Sequence, residues 1–320
     1  MAMNVTQESL ANAETLEHLQ GLLDPLSLRA GWNKHEASLW PEPRTGFLPA
    51  NWTWRNAKSA LDSAGRLIST EQADRRNLFM VNPREGNYYA TVRTLVSAYQ
   101  MILPGERARS HRHTPNALRL VLDVGEHTYT VVDGVRIDMK PGDVVLTPGW
   151  SWHGHGNDGD RPGYWIDFLD VPLVQLLEPM FLEHWPQGFQ TPSENSRDSS
   201  FVFPWAETEA ALSTAVPDAQ GRSRIELGTP ALPTVGLHME RLTSRRPTPP
   251  LRTTASQIVA IVSGHGQTTV AGRTIGWSRG DVLAIPSWHR FEHEADEDAV
   301  LFTVSDLPVM EKLNFLHLSE

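Results

Sequence analysis

Cysteine does not occur in the 320 residues of the chain. Disulfides and thiolate metal ligands are therefore excluded, and any transition metal must be held by histidine and carboxylate. No apolar run approaches membrane-spanning length. Residues 1–19 have neither the positive start nor the apolar centre of a secretory signal. A cytoplasmic protein with no membrane partner is the expectation. Positive charge is also in deficit, with 28 Lys and Arg against 38 Asp and Glu and a net charge of −10. That balance, with no helix-turn-helix candidate, argues against nucleic-acid binding through a basic surface. The length suits two domains of ordinary size, and the hydrophobic share of 40% is ordinary for a globular chain.

The chemistry concentrates in histidine. His111 and His113 are two apart, and residues i and i+2 of a strand face one side, so both imidazoles can meet one ion. Their flanks, residues 94–103 and 117–122, read as strands. His153 follows a hairpin with Asp133-Gly134 at its turn, a second turn at Pro141-Gly142 and a short apolar strand. An antiparallel chain that turns this way brings His153 beside the other two.

Gly105, five residues, then His111-x-His113 resembles the first sequence motif of the cupin barrels. Gly142, five residues, Pro148, then His153, three residues, Asn157 resembles the second. Two positions depart from the pattern. Ala117 and Leu118 stand where the first motif usually has a glutamate ligand, and Trp150 stands where the second has glycine. Three neutral ligands would leave Fe(II) its full dipositive charge, with open positions for a bidentate anion and for O2.

In chain order, residues 7–23 carry Leu16, Leu19, Leu22 and Leu23 and predict one amphipathic helix. Trp32, Trp40, Trp52 and Trp54 follow in a Pro- and Gly-spaced arm. The arm buries them against a barrel or a neighbouring subunit, or else uses them as an aromatic substrate cage. A short helix is expected from 54 to 64. Arg75-Arg76 precedes the first barrel strands, either as a solvated pair or with one arginine directed inward to hold an anion. Arg119 lies within an apolar strand, which is costly unless it is paired or meets a bound anion. Trp165 and Asp167 share a strand face. Residues 171–184 read as a helical linker, residues 186–200 as a domain boundary, and residues 309–318 as a terminal helix.

The second half echoes the first. Gly134 to Gly272 and Gly142 to Gly280 share an offset of 138, which carries His153 onto Phe291. With a one-residue loop adjustment, His111 and His113 fall on Pro250 and Arg252. The second barrel is thus expected to be metal-free, with His289 and His293 as surface or packing residues. The predicted architecture is all-β, a bicupin of two jelly-roll barrels with short linking helices. An N-terminal helical arm spans residues 1–75, a metal-binding barrel 76–185 and a metal-free barrel 186–320.

A bicupin with one metal site of three histidines, and Ala-Leu-Arg after the His-Arg-His, resembles the gentisate and salicylate 1,2-dioxygenase family. The likeness is best over residues 77–174. It implies Fe(II) on His111, His113 and His153, and cleavage by O2 of a small aromatic hydroxyacid between its carboxyl-bearing and hydroxyl-bearing carbons. It also implies a homo-oligomer, since the family is often tetrameric. Arg119 matches the arginine that binds the substrate carboxylate, and Arg75 or Arg76 matches a second anion-binding arginine. Gln100 matches a pocket glutamine, and His155, Trp165 and Asp167 match the pocket group after the third ligand. By hypothesis His155 accepts the hydroxyl proton or bonds oxygen, Asp167 orients His155 or makes a salt bridge or turn contact, and Trp165 is core or pocket wall. Val96 replaces the family's usual aromatic residue and Ala98 stands where small residues control the fit of the ring. Gentisate, salicylate, a 5-substituted salicylate and the fused-ring 1-hydroxy-2-naphthoate are the resulting substrate expectations. Other cupin chemistry, such as β-diketone cleavage or isomerisation, and a non-catalytic binding bicupin are the competing readings.

Overall fold

The structure, a computed structural model, describes residues 5–32, 38–44, 46–73, 75–228 and 232–319. Among the described residues no helix is long and apolar enough to cross a membrane. The chain divides into two compact units, Met1–Arg44 and Thr45–Glu320.

The first unit holds two helices, Gln7–Ala11 and Leu16–Leu23, in place of the single helix expected over 7–23. Capping makes the break. Thr15 is extended and its hydroxyl accepts from His18 N at 3.1 Å, starting a new helix where the first had ended at Asn12. Trp32 and Trp40 are exposed in the single chain, Trp40 beneath the Arg44 guanidinium at 3.7 Å.

The second unit contains the barrels. Its strands begin with β1 (Ala50–Trp52), β2 (Arg76–Phe79), β3 (Val96–Ile102), β4 (Arg107–His113) and β5 (Ala117–Asp123). They continue with β6 (Thr128–Val132), β7 (Val135–Asp138), β8 (Val144–Thr147), β9 (His153–Asn157) and β10 (Gly163–Leu169). One sheet of the first barrel runs Val202–Phe203, β8, β5, β10, β3, β2. The other runs Leu182–His184, β4, β9, β6, β7, Glu194–Asn195. β6 and β7 join through Asp133 and Gly134, both at positive φ, as the expected two-residue hairpin requires.

Alternation along β5 decides what lies where. Leu118, Leu120 and Leu122 face a core shared with second-barrel residues Leu237, Met239, Ile258 and Val282. Val121 faces the interior of the first barrel with Ile102, Val132, Ile137 and Trp165, and Arg119 lies on the same side of the strand. Burying each leucine contributes roughly 2 kcal/mol, so the shared layer binds the barrels firmly.

The stretch read as a linker helix splits. Val171–Leu177 is helical, but Glu178 turns left-handed (φ 71) ahead of Pro179, and Leu182–His184 then pairs with β4. The expected boundary at 186–200 runs alongside the first barrel. Glu194–Asn195 pairs with β7, and Val202–Phe203 beyond it pairs with β8. The terminal segment forms a helix over Leu307–Lys312 and then a strand, Leu318–Ser319, against Arg252–Thr253.

The barrels exchange flanking elements. β1, ahead of the first barrel, pairs with Val282–Ile285 of the second. The helix Trp54–Leu67 starts where Asp281 Oδ1 accepts from Trp54 N at 2.8 Å. In the same way, Asp143 Oδ1 of the first barrel accepts from Trp205 N at 2.9 Å, at the start of the helix Trp205–Thr214.

The second barrel keeps the hairpin conformations at Ala271-Gly272 and Gly280. Its ligand positions are shifted by one from the sequence alignment. Leu251 bridges Phe291 as His111 pairs with His153, and Trp288 N donates to Thr253 O as Trp150 N donates to His113 O. Leu251 and Thr253, not Pro250 and Arg252, therefore stand where His111 and His113 do. Leu251, Phe291, Val259 and Leu301 pack there as apolar core. His293 is buried, bonded to the Thr268 hydroxyl at 2.7 Å.

Candidate metal centre and substrate pocket

β4 and β9 pair antiparallel with His111 opposite His153, and His113 follows two residues on along β4. The three rings converge, with centroids 4.2 to 5.3 Å apart and one nitrogen of each within 4.8 Å of the others. Each Nδ1 lies near a backbone carbonyl: Pro115 O at 2.8 Å from His113, Ser151 O at 2.9 Å from His153 and Arg109 O at 3.3 Å from His111. A carbonyl only accepts, so Nδ1 of His113 and of His153 carries the proton and their Nε2 keeps its lone pair for a metal. Burial pushes the His111 pKa down to about 2, assisted by Arg75, and lowers those of His113 and His153. Three neutral imidazoles suit a divalent transition metal. Among the described residues no carboxylate joins the set.

Beside the triad lies a cavity of about 650 Å³. Arg75, Val96, Ala98, Gln100, Arg119, His155 and Asp167 all line it. Arg119 is fully buried. Its Nη1 donates to Thr130 Oγ1 at 2.7 Å and lies 2.5 Å from His155 Nδ1. Its Nε is 3.5 Å from Asp167 Oδ1, and neither of those two atoms makes a hydrogen bond. Burial pushes the Arg119 pKa down to about 10, opposed by Asp167. Burial raises the Asp167 pKa against the pull of Arg119. His155 stays neutral because burial and the Arg119 charge hold it well below the usual range.

This geometry chooses between three pairs of alternatives that the sequence left open. Arg76 is not a pocket residue. It is buried against Glu106, at 2.6 and 2.7 Å, and donates to Ile68 O, because β2 alternation turns it away from its neighbour. Arg75 faces the cavity instead, its Nη2 at 2.7 and 2.8 Å from the two ring nitrogens of His111. Trp165 is not a pocket wall. It is fully buried, its Nε1 donates to Asp167 Oδ2 at 3.1 Å, and it supports His155 and Arg119 from behind. Asp167 does not orient His155. It holds Arg119 and Trp165, while the partners of His155 are Arg119 and Thr130.

Other lining residues escaped the sequence reading. Asn77 and Phe79 follow Arg75 at strand spacing, so period-two alternation from Arg75 could have found them. Leu182 and His184 enter only because residues 182–184 form a strand beside β4. Arg109 also lies at the cavity and adds positive charge.

A cupin domain model matches residues 98–170. The chain is 31% identical to gentisate 1,2 dioxygenase 1 of Aquipseudomonas alcaligenes over 343 residues, covering 98% of both. It is 34% identical to the 5-aminosalicylate 1,2-dioxygenase of a Comamonas species over 306 residues, covering 85% of this chain and 81% of that one. Its fold is similar to the crystal structure of the salicylate 1,2-dioxygenase from Pseudaminobacter salicylatoxidans, with a TM-score of 0.87 and 27% identity over 96% of this chain and 98% of that one. With its triad and arginine-lined cavity on a bicupin scaffold, the chain belongs to the gentisate and salicylate 1,2-dioxygenase family of ring-cleaving oxidoreductases.

Proposed function

We propose that His111, His113 and His153 hold Fe(II), and that the cavity binds a salicylate-type hydroxyacid through Arg119 and Arg75. The observation that carries this is the buried Arg119, with its Nε lacking a hydrogen bond, lining the cavity that the three histidines also line. A buried guanidinium with spare donors is a strong site for a carboxylate, and Arg75 supplies a second positive charge. When bound, the iron supplies the electronic link between the ring and O2. The C–C bond between the carboxyl-bearing and hydroxyl-bearing carbons breaks, and both atoms of O2 enter an open-chain 2-oxo dicarboxylate. The chain's own residues bind and orient. Arg119 and Arg75 hold the carboxylate, and Asp167 keeps Arg119 in place. Neutral His155 takes the hydroxyl proton or bonds the ring oxygen. Gln100 lines the wall beside Arg119.

Val96, Ala98 and Ala117 are small where they line the cavity, leaving room for a ring substituent or a second fused ring. A 5-substituted salicylate or 1-hydroxy-2-naphthoate therefore fits this reading alongside gentisate and salicylate. A cytoplasmic homo-oligomer goes with it, and the exposed Trp32 and Trp40 suit subunit contacts; light scattering on the purified chain tests that assembly.

The test is oxygen uptake by protein reconstituted anaerobically with Fe(II), offered those four substrate types, with ring loss followed by absorbance. Uptake with one of them, and none in His113→Ala, is the expected result. Bound iron with no uptake on any of them would move the assignment to another cupin chemistry or to a binding role.

A further inference from the structure

Asp170, buried at the end of β10, is the centre of a hub that joins the two barrels. Its Oδ1 accepts from Asn116 N at 2.8 Å, and its Oδ2 accepts from Asn116 Nδ2 at 3.0 Å and from the Thr234 hydroxyl. Asn116 Nδ2 also donates to Thr234 Oγ1 at 2.9 Å, and Asn116 Oδ1 accepts from Gly149 N at 3.0 Å. Thr234 belongs to the second barrel, two residues before its strand Gly236–Leu242. The other three segments all shape the pocket. Ala117 follows Asn116, Leu169 and Val171 flank Asp170, and the chain from Gly149 runs into His153; these four neighbours all line the cavity.

The hub has a counterpart in the second barrel, where Leu251, Thr253 and Phe291 stand in the triad's positions. There Thr94, from the first barrel, donates to Asp306 Oδ2 at 2.5 Å. Ser256 N donates to Asp306 Oδ1 at 2.7 Å, and Ser287 N donates to Ser256 Oγ at 3.3 Å. Each barrel thus completes a hub in the other. The Thr234 hub ties together the segments that carry Ala117, His153, Leu169 and Val171. The Asp306 hub ties segments of the barrel whose corresponding positions hold Leu251 and Phe291.

We propose that Thr234 is a positioning residue for ring cleavage, through which the metal-free barrel sets the shape of the substrate pocket. Removing its hydroxyl takes one donor from a buried carboxylate and one acceptor from Asn116 Nδ2. The strand end and the loop held by that pair then lose their fixed spacing, and small displacements of a binding wall weaken substrate positioning out of proportion to their size. The proposal goes beyond the substrate assignment but rests on the cavity being the substrate site.

The experiment compares Thr234→Val, Thr234→Ser and Ser256→Ala in the metal-loaded full chain, by backbone amide exchange and by steady-state kinetics on the hydroxyacid the native protein turns over. Thr234→Val should speed exchange over residues 147–153 and 169–171. It should raise KM on the order of ten-fold while kcat changes less than about two-fold. Thr234→Ser keeps the hydroxyl and should restore both readouts. Ser256→Ala should speed exchange over residues 285–291 and leave KM unchanged. Exchange in Thr234→Val that rises only over residues 232–240, or an equal rise of KM in Ser256→Ala, would overturn the proposal. Thr234→Ala removes the same bonds should valine not be accommodated. The exchange pattern is read without turnover, so failure of the substrate assignment is distinguishable from failure of the hub.

Discussion

Arg119 carries the heaviest electrostatic demand of any residue in the pocket. A fully buried guanidinium is costly unless charges and acceptors surround it, and here Asp167, Thr130 and His155 do so while Nε makes no hydrogen bond. Arg119→Leu should raise KM by roughly ten- to a hundred-fold, the loss of one charge-assisted interaction; kinetics on the accepted hydroxyacid, with iron content measured alongside, check this. An unchanged KM would remove its carboxylate role. Val96 tests the shape of the same cavity. Val96→Trp should lower kcat/KM for a fused-ring acid more than for a single-ring one, and equal losses on both would show that residue 96 does not limit ring size. The roles of these side chains were partly legible in the sequence. An arginine inside an apolar strand signals a bound or paired anion. The choice between Arg75 and Arg76 was not legible, because it depends on whether Glu106 stands on one side of β2.

Among elements, the turn before β8 repeats before Val282–Ile285 and shows how a helix is seated. Gly142 and Gly280 both have φ of 86°, and a Cβ on either would lie 2.7 Å from the Trp205 or Trp54 ring that starts the adjoining helix. Gly142→Ala should therefore destabilise by about 2–4 kcal/mol, from left-handed strain together with the clash. Denaturant unfolding checks it, and Gly280→Ala should cost a similar amount. Strands around the motifs could be read from alternation and turn residues. The strand at 182–184 could not, since its apolar pattern suits a helix and only the open edge of β4 draws it into a sheet.

For the molecule as a whole, the barrels form one interlocked unit. The second barrel takes an edge strand from residues 50–52, so cutting the chain between the barrels would expose a sheet edge. Burial raises the Asp306 pKa to about 6 from an ordinary 3.8. Between those values the folded chain holds a proton that the unfolded chain has released, so this group's contribution to stability falls as pH rises from about 4 to about 6. The loss is at most roughly 3 kcal/mol. Asp306→Asn keeps an acceptor for Ser256 N and should flatten that segment of the stability–pH curve, measured by denaturant midpoints. A slope equal to that of the native chain would place its origin elsewhere.

The sequence alone determined that His111, His113 and His153 can converge, the bicupin fold and the family. These depend on short-range spacing: i and i+2 on a strand, glycine at turns, and two motifs separated by a hairpin. Tertiary structure decided which arginine faces the cavity, that Trp165 supports rather than lines it, and that Asp167 holds Arg119 instead of His155. It also decided that Leu251 and Thr253, one residue from the aligned positions, stand where His111 and His113 do. Each of these turns on what a neighbouring strand presents across a sheet or between barrels, and spacing along one chain does not encode that pairing.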